Sequence, residues 1–409
     1  MNTSLPPFHA LSDNNLNQKN LIMSAVGHKT TPNATILVTG SSGFVGARLV
    51  EMLLERNAKK VICFDITPPS AGLMERFNKA AGGDSSRYSI FSGMEDGNLT
   101  KEKSVLKAFA SEPKVDVVYH IAALVGPFHE KDMYMDVNYN GTMYILKACR
   151  QYSVPRLVYS SSPSTRFTGK DIEGLREEEM EIPEKFLAMY AETKAYAEKE
   201  VSKANDPENG FFTIAVAPHQ VYGPHDPLFL PALLETAGSG KLRIFGRGKN
   251  KISVCYVDNY CHGLICGADV LEKGSKALGK FYVITDGPEQ YFWGILNKAI
   301  VAMGFTDLDS KFHLPIWLLM SIAHACDALG WLIGKKFKLN PFNVKMLTIH
   351  RYFCIDNARN DLKYEPLFKF EDSWNTTIEW HKVNWLPGYL ERVKQGKGSA
   401  IIGKDKKTR

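Results

Sequence analysis

No two cysteines stand in C-x-x-C spacing, and their number, seven, is odd. That excludes a disulfide framework and leaves no zinc-site pattern, so no metal is expected. Cys63, Cys149, Cys255, Cys261, Cys266, Cys326 and Cys354 lie mostly in apolar stretches, as small core residues of a reduced protein do. A basic stripe with interleaved aromatics is also missing. The net charge is only +6, with basic clusters at Lys335–Lys338 and in the tail from Lys397, so a nucleic-acid partner is not expected. No internal repeat occurs. The first 33 residues lack a long apolar core, which excludes a secretory signal, and their Asn, Ser and Pro content predicts a disordered lead-in.

What is present is a chain of 409 residues, 44% hydrophobic and 23% charged, large enough for a sizeable core. Short apolar runs at Thr35–Val38, Lys60–Phe64, Val115–His120 and Arg156–Tyr159 alternate with helical patterns at Ala47–Arg56, Lys103–Phe109 and Asn138–Tyr152. This alternation predicts an α/β fold, a Rossmann-type doubly wound parallel sheet over residues 34–217. Beyond Pro218 the rhythm breaks on Pro and Gly, predicting a smaller mixed α/β substrate lobe over 218–390, followed by a basic tail at 391–409.

Thr39-Gly40-Ser41-Ser42-Gly43-Phe44-Val45-Gly46 follows the first strand and opens the first helix. Gly40 suits a tight turn, Gly43 close approach to a pyrophosphate, and Gly46 close packing of helix on strand; the helix N-terminus then faces the phosphates. Asp65 ends the second strand, 19 residues past Gly46, where a carboxylate bonds ribose hydroxyls and repels a 2′-phosphate. NAD is therefore the expected cofactor. Tyr190-Ala-Glu-Thr-Lys194 puts a phenol and an ammonium on one helix face, where the charge is expected to lower the phenol's pKa for general-base work. Ser162, last of three serines after a strand, is the expected hydroxyl donor to the substrate oxygen.

These residues resemble the extended short-chain dehydrogenases, and among them the 3β-hydroxysteroid dehydrogenase family. The likeness runs from Thr35 to about His381 and includes Val137-Asn138-Tyr139, Ala204-Asn205-Asp206-Pro207-Glu208, Pro218-His219-Gln220-Val221-Tyr222-Gly223-Pro224 and Gly246-Arg247-Gly248-Lys249-Asn250. The resemblance implies catalytic roles for Ser162, Tyr190 and Lys194, with Asn138 holding the active-site architecture. It implies a cofactor site of Gly40, Ser42, Gly43, Phe44, Val45, Gly46, Asp65, Asn98, Leu99, Ala122, Ala123, Tyr190, Lys194 and Pro218. Asn98 stands where relatives carry an Asp at the adenine, and Ala217 where they often carry Arg. The implied reaction is NAD-dependent oxidation of the 3β-hydroxyl of a 4-carboxysterol, with loss of CO2 to a 3-keto sterol. Arg166 and Lys170 are candidates for recognising the carboxylate. An isomerising 3β-hydroxysteroid dehydrogenase, a sugar-nucleotide epimerase and a non-catalytic NAD-sensing protein are the competing readings.

Leu314–Ile333 is largely apolar but interrupted by Pro315, Ser321, His324 and Asp327. A mid-helix Asp costs about 2.5–3.5 kcal/mol on insertion, so an interfacial helix and a pair of core helices are both open here. Lys406-Lys407-Thr408-Arg409 resembles a dilysine retrieval signal. With a sterol substrate, these features point to the cytosolic face of the endoplasmic-reticulum membrane, with lipid droplets or cytoplasm as alternatives. Other sterol C4-demethylation enzymes are the expected partners, and a homodimer is compatible.

Overall fold

The computed structural model describes residues 28–126, 129–333, 337 and 339–396. A seven-stranded, wholly parallel sheet forms its centre, built from β1 (Thr35–Thr39), β2 (Lys60–Asp65), β3 (Tyr88–Ser92), β4 (Val117–His120), β5 (Arg156–Ser160), β7 (Phe212–Pro218) and β11 (Phe281–Ile284). The order is β11-β7-β5-β4-β1-β2-β3. These strands read as continuous apolar runs because both faces are covered. Ile36 and Val38 of β1 pack on one side and Leu37 on the other; Val61 and Cys63 of β2 oppose Ile62 and Phe64 in the same way.

Helix α1 (Phe44–Glu55) and helix α5 (Val257–Asp269) cover the first face. Helices α2 (Glu102–Phe109), α3 (Gly141–Gln151) and α4 (Met189–Lys203) cover the second. A buried cluster locks α1 to α5. Arg48 Nε donates to Asp258 Oδ1 at 2.7 Å, while its terminal nitrogens meet Glu51 at 3.0 Å and Glu55 at 3.1 Å. Strand order reverses at β1, between β4 and β2, and at such a switch point the strand ends open a crevice for a ligand.

The two halves interleave, so the expected boundary at residue 217 is not a clean cut. Strand β11 comes from beyond it yet extends the Rossmann sheet, pairing Phe281 with Ala215 and Ile284 with Pro218. In return β6 (Ile172–Leu175) leaves the first half for a four-stranded sheet in the lobe, with β9 (Lys251–Ile252), β12 (Gln290–Tyr291) and β13 (Arg351–Phe353) in the order β12-β9-β13-β6. A short pair, β8 (Val221–Tyr222) with β10 (Cys255–Tyr256), completes the sheets.

Order also begins earlier than the expected 34. The Asp269 carboxylate takes the Lys29 and Thr30 amides at 3.0 and 2.8 Å and meets His28 Nδ1 at 2.5 Å. One side chain with several acceptor positions thereby pins residues 28–30 to the end of α5. Residues 1–27 and the tail from 397 lie outside the described residues, as do Lys335, Lys336 and Lys338.

Helix α6 (Ile316–Ile333) replaces the pair of core helices that was one of the two expectations for this stretch. Leu319, Ala323 and Gly330 are its buried residues, and the first two pack with Val344 of α7 (Pro341–Met346). Met320 packs beside them, whereas Trp317, Trp331 and Leu332 face outward, 71%, 85% and 72% exposed. By length and composition alone the helix is long and apolar enough to cross a membrane.

Candidate active site

A cavity of 780 Å³ opens at the C-terminal ends of the central strands. Every residue expected at the cofactor or the chemistry lines it, except Ser42 and Asn138. The glycine loop is shaped by contacts no side chain would tolerate. Gly40 has φ of +73°, and a Cβ on Gly46 would lie 2.0 Å from the Gly40 carbonyl oxygen. Helix α1 starts at Phe44 behind an N-cap, Gly43, that offers no side-chain bond, so its first amides point at the crevice.

Asp65 does two jobs. It lines the cavity, and it accepts the Ser42 amide at 2.9 Å and the Thr67 amide at 2.8 Å. Burial raises its pKa, against the pull of these amide bonds. A carboxylate has about four acceptor positions, so room remains for two ribose hydroxyls. Ser42 thus belongs to the support of Asp65 and not to the cavity wall. Asn98 differs from expectation in detail: its Oδ1 already accepts the Thr100 amide and hydroxyl at 2.9 and 2.8 Å. That leaves its NH2 to donate to a purine ring nitrogen, in place of accepting from the adenine amino group. Leu99 beside it presses on Gly141, where a Cβ would come within 2.5 Å of Leu99 Cγ. With a carboxylate where NADP would bring a phosphate, these residues fit NAD.

The chemistry end sits where β5 and α4 meet. Three serines follow β5 and the structure separates them. Ser160 Oγ is 2.8 Å from the Tyr260 hydroxyl, and Ser161 donates to Glu198 at 2.5 Å. Ser162 alone of the three lines both the 780 Å³ cavity and a second one of 430 Å³, as Tyr190 does, and its Oγ lies 2.9 Å from Ser164 Oγ. One α4 turn past Tyr190, Lys194 Nζ donates to the Ser160 carbonyl at 2.5 Å and lies 4.0 Å from the centre of the Tyr159 ring. Burial pulls the ammonium's pKa down to about 7, with Glu198 opposing. Burial also pushes the Tyr190 phenol up to about 12, partly offset by the Ser162 hydroxyl. This differs from the expectation for the pair: desolvation dominates, and the phenol is raised instead of lowered.

Asn138 stands behind this wall, in a wide helical turn at Met135–Asn140. Its amide accepts the Leu124 amide at 2.8 Å and donates to the Leu124 carbonyl and Thr193 Oγ1, both at 3.2 Å. It ties the loop after β4 to α4 between Tyr190 and Lys194. Sequence reasoning missed the relay beneath. Thr39 Oγ1 accepts the Ile121 and Ala122 amides, so its proton goes to His120 Nδ1 at 2.7 Å. His120 Nε2 then donates to Thr142 at 2.9 Å, whose hydroxyl donates to the Asn138 carbonyl at 2.7 Å. Burial holds His120 neutral, with its pKa lowered to about 3.

Neither expected carboxylate reader survives. Arg166 is committed to Glu198 through contacts of 2.5 and 2.7 Å, and it stacks 3.5 Å from the centre of the Phe281 ring. Lys170 is exposed on a surface turn and lines neither cavity. The second cavity is instead walled by Phe167, Leu187, Phe229, Leu233, Phe292 and Phe342, with Arg351 and His219 as its basic groups. No local signal marks Arg351; His219 stood in a conspicuous Pro-His-Gln run without an evident role.

A glycine-loop dinucleotide crevice joined to a Tyr, Lys and Ser cluster defines an extended Rossmann oxidoreductase. The sequence profile of the 3-beta hydroxysteroid dehydrogenase/isomerase family matches residues 37–316, and the chain belongs to that family. It is 31% identical over 363 residues to the decarboxylating sterol-4-alpha-carboxylate 3-dehydrogenase of Homo sapiens, covering 87% of this chain and 89% of that protein. It is likewise 31% identical to a 2-alkyl-3-oxoalkanoate reductase of Stenotrophomonas maltophilia, over 82% of this chain and 96% of the relative. Among solved structures, a dTDP-glucose 4,6-dehydratase of Bacillus anthracis in complex with NAD aligns with a TM-score of 0.62 at 20% identity. It covers 86% of this chain and 97% of its own, a likeness of fold.

Proposed function

We propose that this chain oxidises the 3β-hydroxyl of a 4-carboxysterol with NAD, releasing CO2 and a 3-keto sterol. The observation that carries the reading is a shared wall: Ser162 and Tyr190 line both the dinucleotide crevice and the adjoining apolar cavity. An alcohol on a fused-ring hydrocarbon seated in the second cavity meets those two hydroxyls at its polar end. The human and plant relatives named for sterol carboxylates or for a hydroxysteroid dehydrogenase/decarboxylase support the substrate class.

NAD, when bound, supplies the hydride acceptor and a positive ring that favours a nearby phenolate. Tyr190 takes the hydroxyl proton, and the Ser162 hydroxyl, on the same cavity wall, holds the substrate oxygen. Lys194, anchored on the Ser160 carbonyl, fixes the helix face and adds positive charge when protonated. The product is a β-keto acid. Breaking its C4–carboxyl bond leaves the electron pair delocalised onto the C3 oxygen, where Ser162 and Tyr190 donate hydrogen bonds, and a proton then adds at C4.

Helix α6 supports a membrane site. Its outward Trp and Leu side chains suit an interfacial layer, and α7, packed on it, contributes Phe342, Asn343 and Met346 to the apolar cavity. The cytosolic face of the endoplasmic reticulum, beside other C4-demethylation enzymes, follows as the proposed location. The bacterial relative favours a second reading, in which the substrate is a 3-hydroxy or 3-oxo acid with alkyl chains. Measuring NADH and CO2 from a 4-carboxysterol, the same sterol without the carboxyl, and a 2-alkyl-3-hydroxyalkanoate separates them. The proposal expects stoichiometric NADH and CO2 from the first; exclusive turnover of the third replaces it with the second reading.

A further inference from the structure

Among the described residues, Arg351 is a buried cation without an anion. It sits in β13, held on both sides by the pairings Arg351↔Ile172 and Arg351↔Ile252, and is 7% exposed. Its guanidinium donates to the Met346 carbonyl at 2.6 Å and lies 3.2 Å from His219 Nε2. Among the described residues Nε has no hydrogen-bond partner. His219 does not neutralise the charge: its Nδ1 lies 2.6 Å from the Ser253 carbonyl, so that nitrogen carries the proton and Nε2 is a bare acceptor. Burial and the guanidinium beside it hold this imidazole neutral, its pKa lowered to about 3. Among the described residues no carboxylate lies within ion-pair distance of Arg351, and burial alone brings its pKa down to about 10, so it stays charged at neutral pH. The contrast with Arg48 and Arg166 is direct, since each of those is paired with acidic side chains.

An unpaired buried charge is expensive, and an apolar cavity wall is a poor place to keep one unless an anion arrives there. Arg351 lines the 430 Å³ cavity that also reaches Ser162 and Tyr190. We propose that Arg351 is the specificity-determining residue that binds a substrate carboxylate adjacent to the carbon being oxidised, with His219 and the Met346 carbonyl orienting its fork. This deepens the functional reading above and rests on it for the sterol, but not for the anion. A 4-carboxysterol and a 2-alkyl-3-oxoalkanoate both carry a carboxylate one carbon from the carbon that bears oxygen. Pairing stabilises the carboxylate in the bound ground state, so the residue acts on binding more than on the chemical step.

The test uses the full-length protein with NAD and a pair of non-oxidisable ligands, a 3-deoxy-4-carboxysterol and its methyl ester, measured by calorimetry. Wild type is expected to prefer the acid, and Arg351→Met to lose that preference by roughly 30-fold, the scale of a charge-assisted bidentate contact. Arg351→Lys is expected to keep part of it, and affinity for NAD to stay unchanged in all three. On the oxidisable acid, Arg351→Met is expected to raise KM while kcat changes little. An acid preference that persists in Arg351→Met, or is missing in wild type, overturns the assignment. So does an equal loss of acid and ester affinity in Arg351→Lys, which marks a structural role. If wild type binds the acid through Arg351 yet makes no NADH from the 4-carboxysterol, the functional reading fails and the anion site stands.

Discussion

Lys194 illustrates how one side chain can be costly to the fold and necessary to the site. It is buried against Tyr159 with its charge only partly offset by Glu198, and its pKa falls to about 7 from the ordinary 10.5. Between these two values the unfolded chain binds a proton that the folded one does not, so stability rises with pH across that window. Below about 7 both states are protonated and the full cost is present. Lys194→Met is therefore expected to melt above wild type at pH 6, with the gap narrowing from pH 7 to pH 9; a gap independent of pH contradicts this. At this scale the short-range motifs were legible. Gly40 to Gly46, Asp65, Tyr190 and Lys194 lie within single loop or helix units, where spacing fixes geometry. Ser162 could be named but not distinguished physically from Ser160 and Ser161, because their partners Tyr260 and Glu198 come from elsewhere. Arg351 had no signal at all: its meaning lies in what it is not paired with, and only tertiary structure reveals that.

Among elements, the α1–α5 contact carries the ionic burden. Asp258 meets Arg48 at 2.7 Å with both side chains more than nine-tenths buried. Removing Asp258 strips Arg48 Nε of its acceptor and leaves the buried guanidinium to Glu51 and Glu55. Asp258→Ala is expected to cost about 2 kcal/mol, the scale of a lost buried hydrogen bond to a charged group, by urea denaturation while leaving NAD affinity nearly unchanged in the folded fraction. A loss below about 0.5 kcal/mol, the range of neutral surface substitutions, contradicts it. The sequence revealed the early strands because buried parallel strands are plain apolar runs. It was silent on β11, whose four residues could pair anywhere, and on β6, which departs for the other sheet. The run Asn138–Tyr152 read as one helix, whereas a wide turn at 135–140 precedes α3 and aims Asn138 at Leu124 and Thr193. Residues 28–30 were misjudged because their anchor, Asp269, lies 239 to 241 positions away.

For the whole molecule, the apolar cavity and α6 form one continuous feature, joined through α7. Under the proposed membrane placement, a cavity walled in part by α7, which packs on α6, would receive a membrane-dissolved sterol without its crossing water. Replacing Trp317, Trp331 and Leu332 together by Ser is expected to lower partition onto lipid vesicles by roughly 100-fold or more, from about 1.5–3 kcal/mol per large side chain. Turnover in detergent is expected to stay within a factor of two. Unchanged vesicle binding returns α6 to a different partner. Hydropathy had narrowed this stretch to two arrangements; the structure has one helix with large apolar side chains exposed in place of a pair of core helices.

The central claim is a hydride moved from C3 of a carboxysterol while Tyr190 takes the hydroxyl proton. Substrate deuterated at the 3α position tests it most directly, with the NADH formed examined for label at the nicotinamide C4. The account predicts one deuterium per NADH, a slowed single turnover, and at least a roughly 100-fold slower transfer in Tyr190→Phe with NAD still bound. Unlabelled NADH, or a Phe variant as fast as wild type, contradicts it.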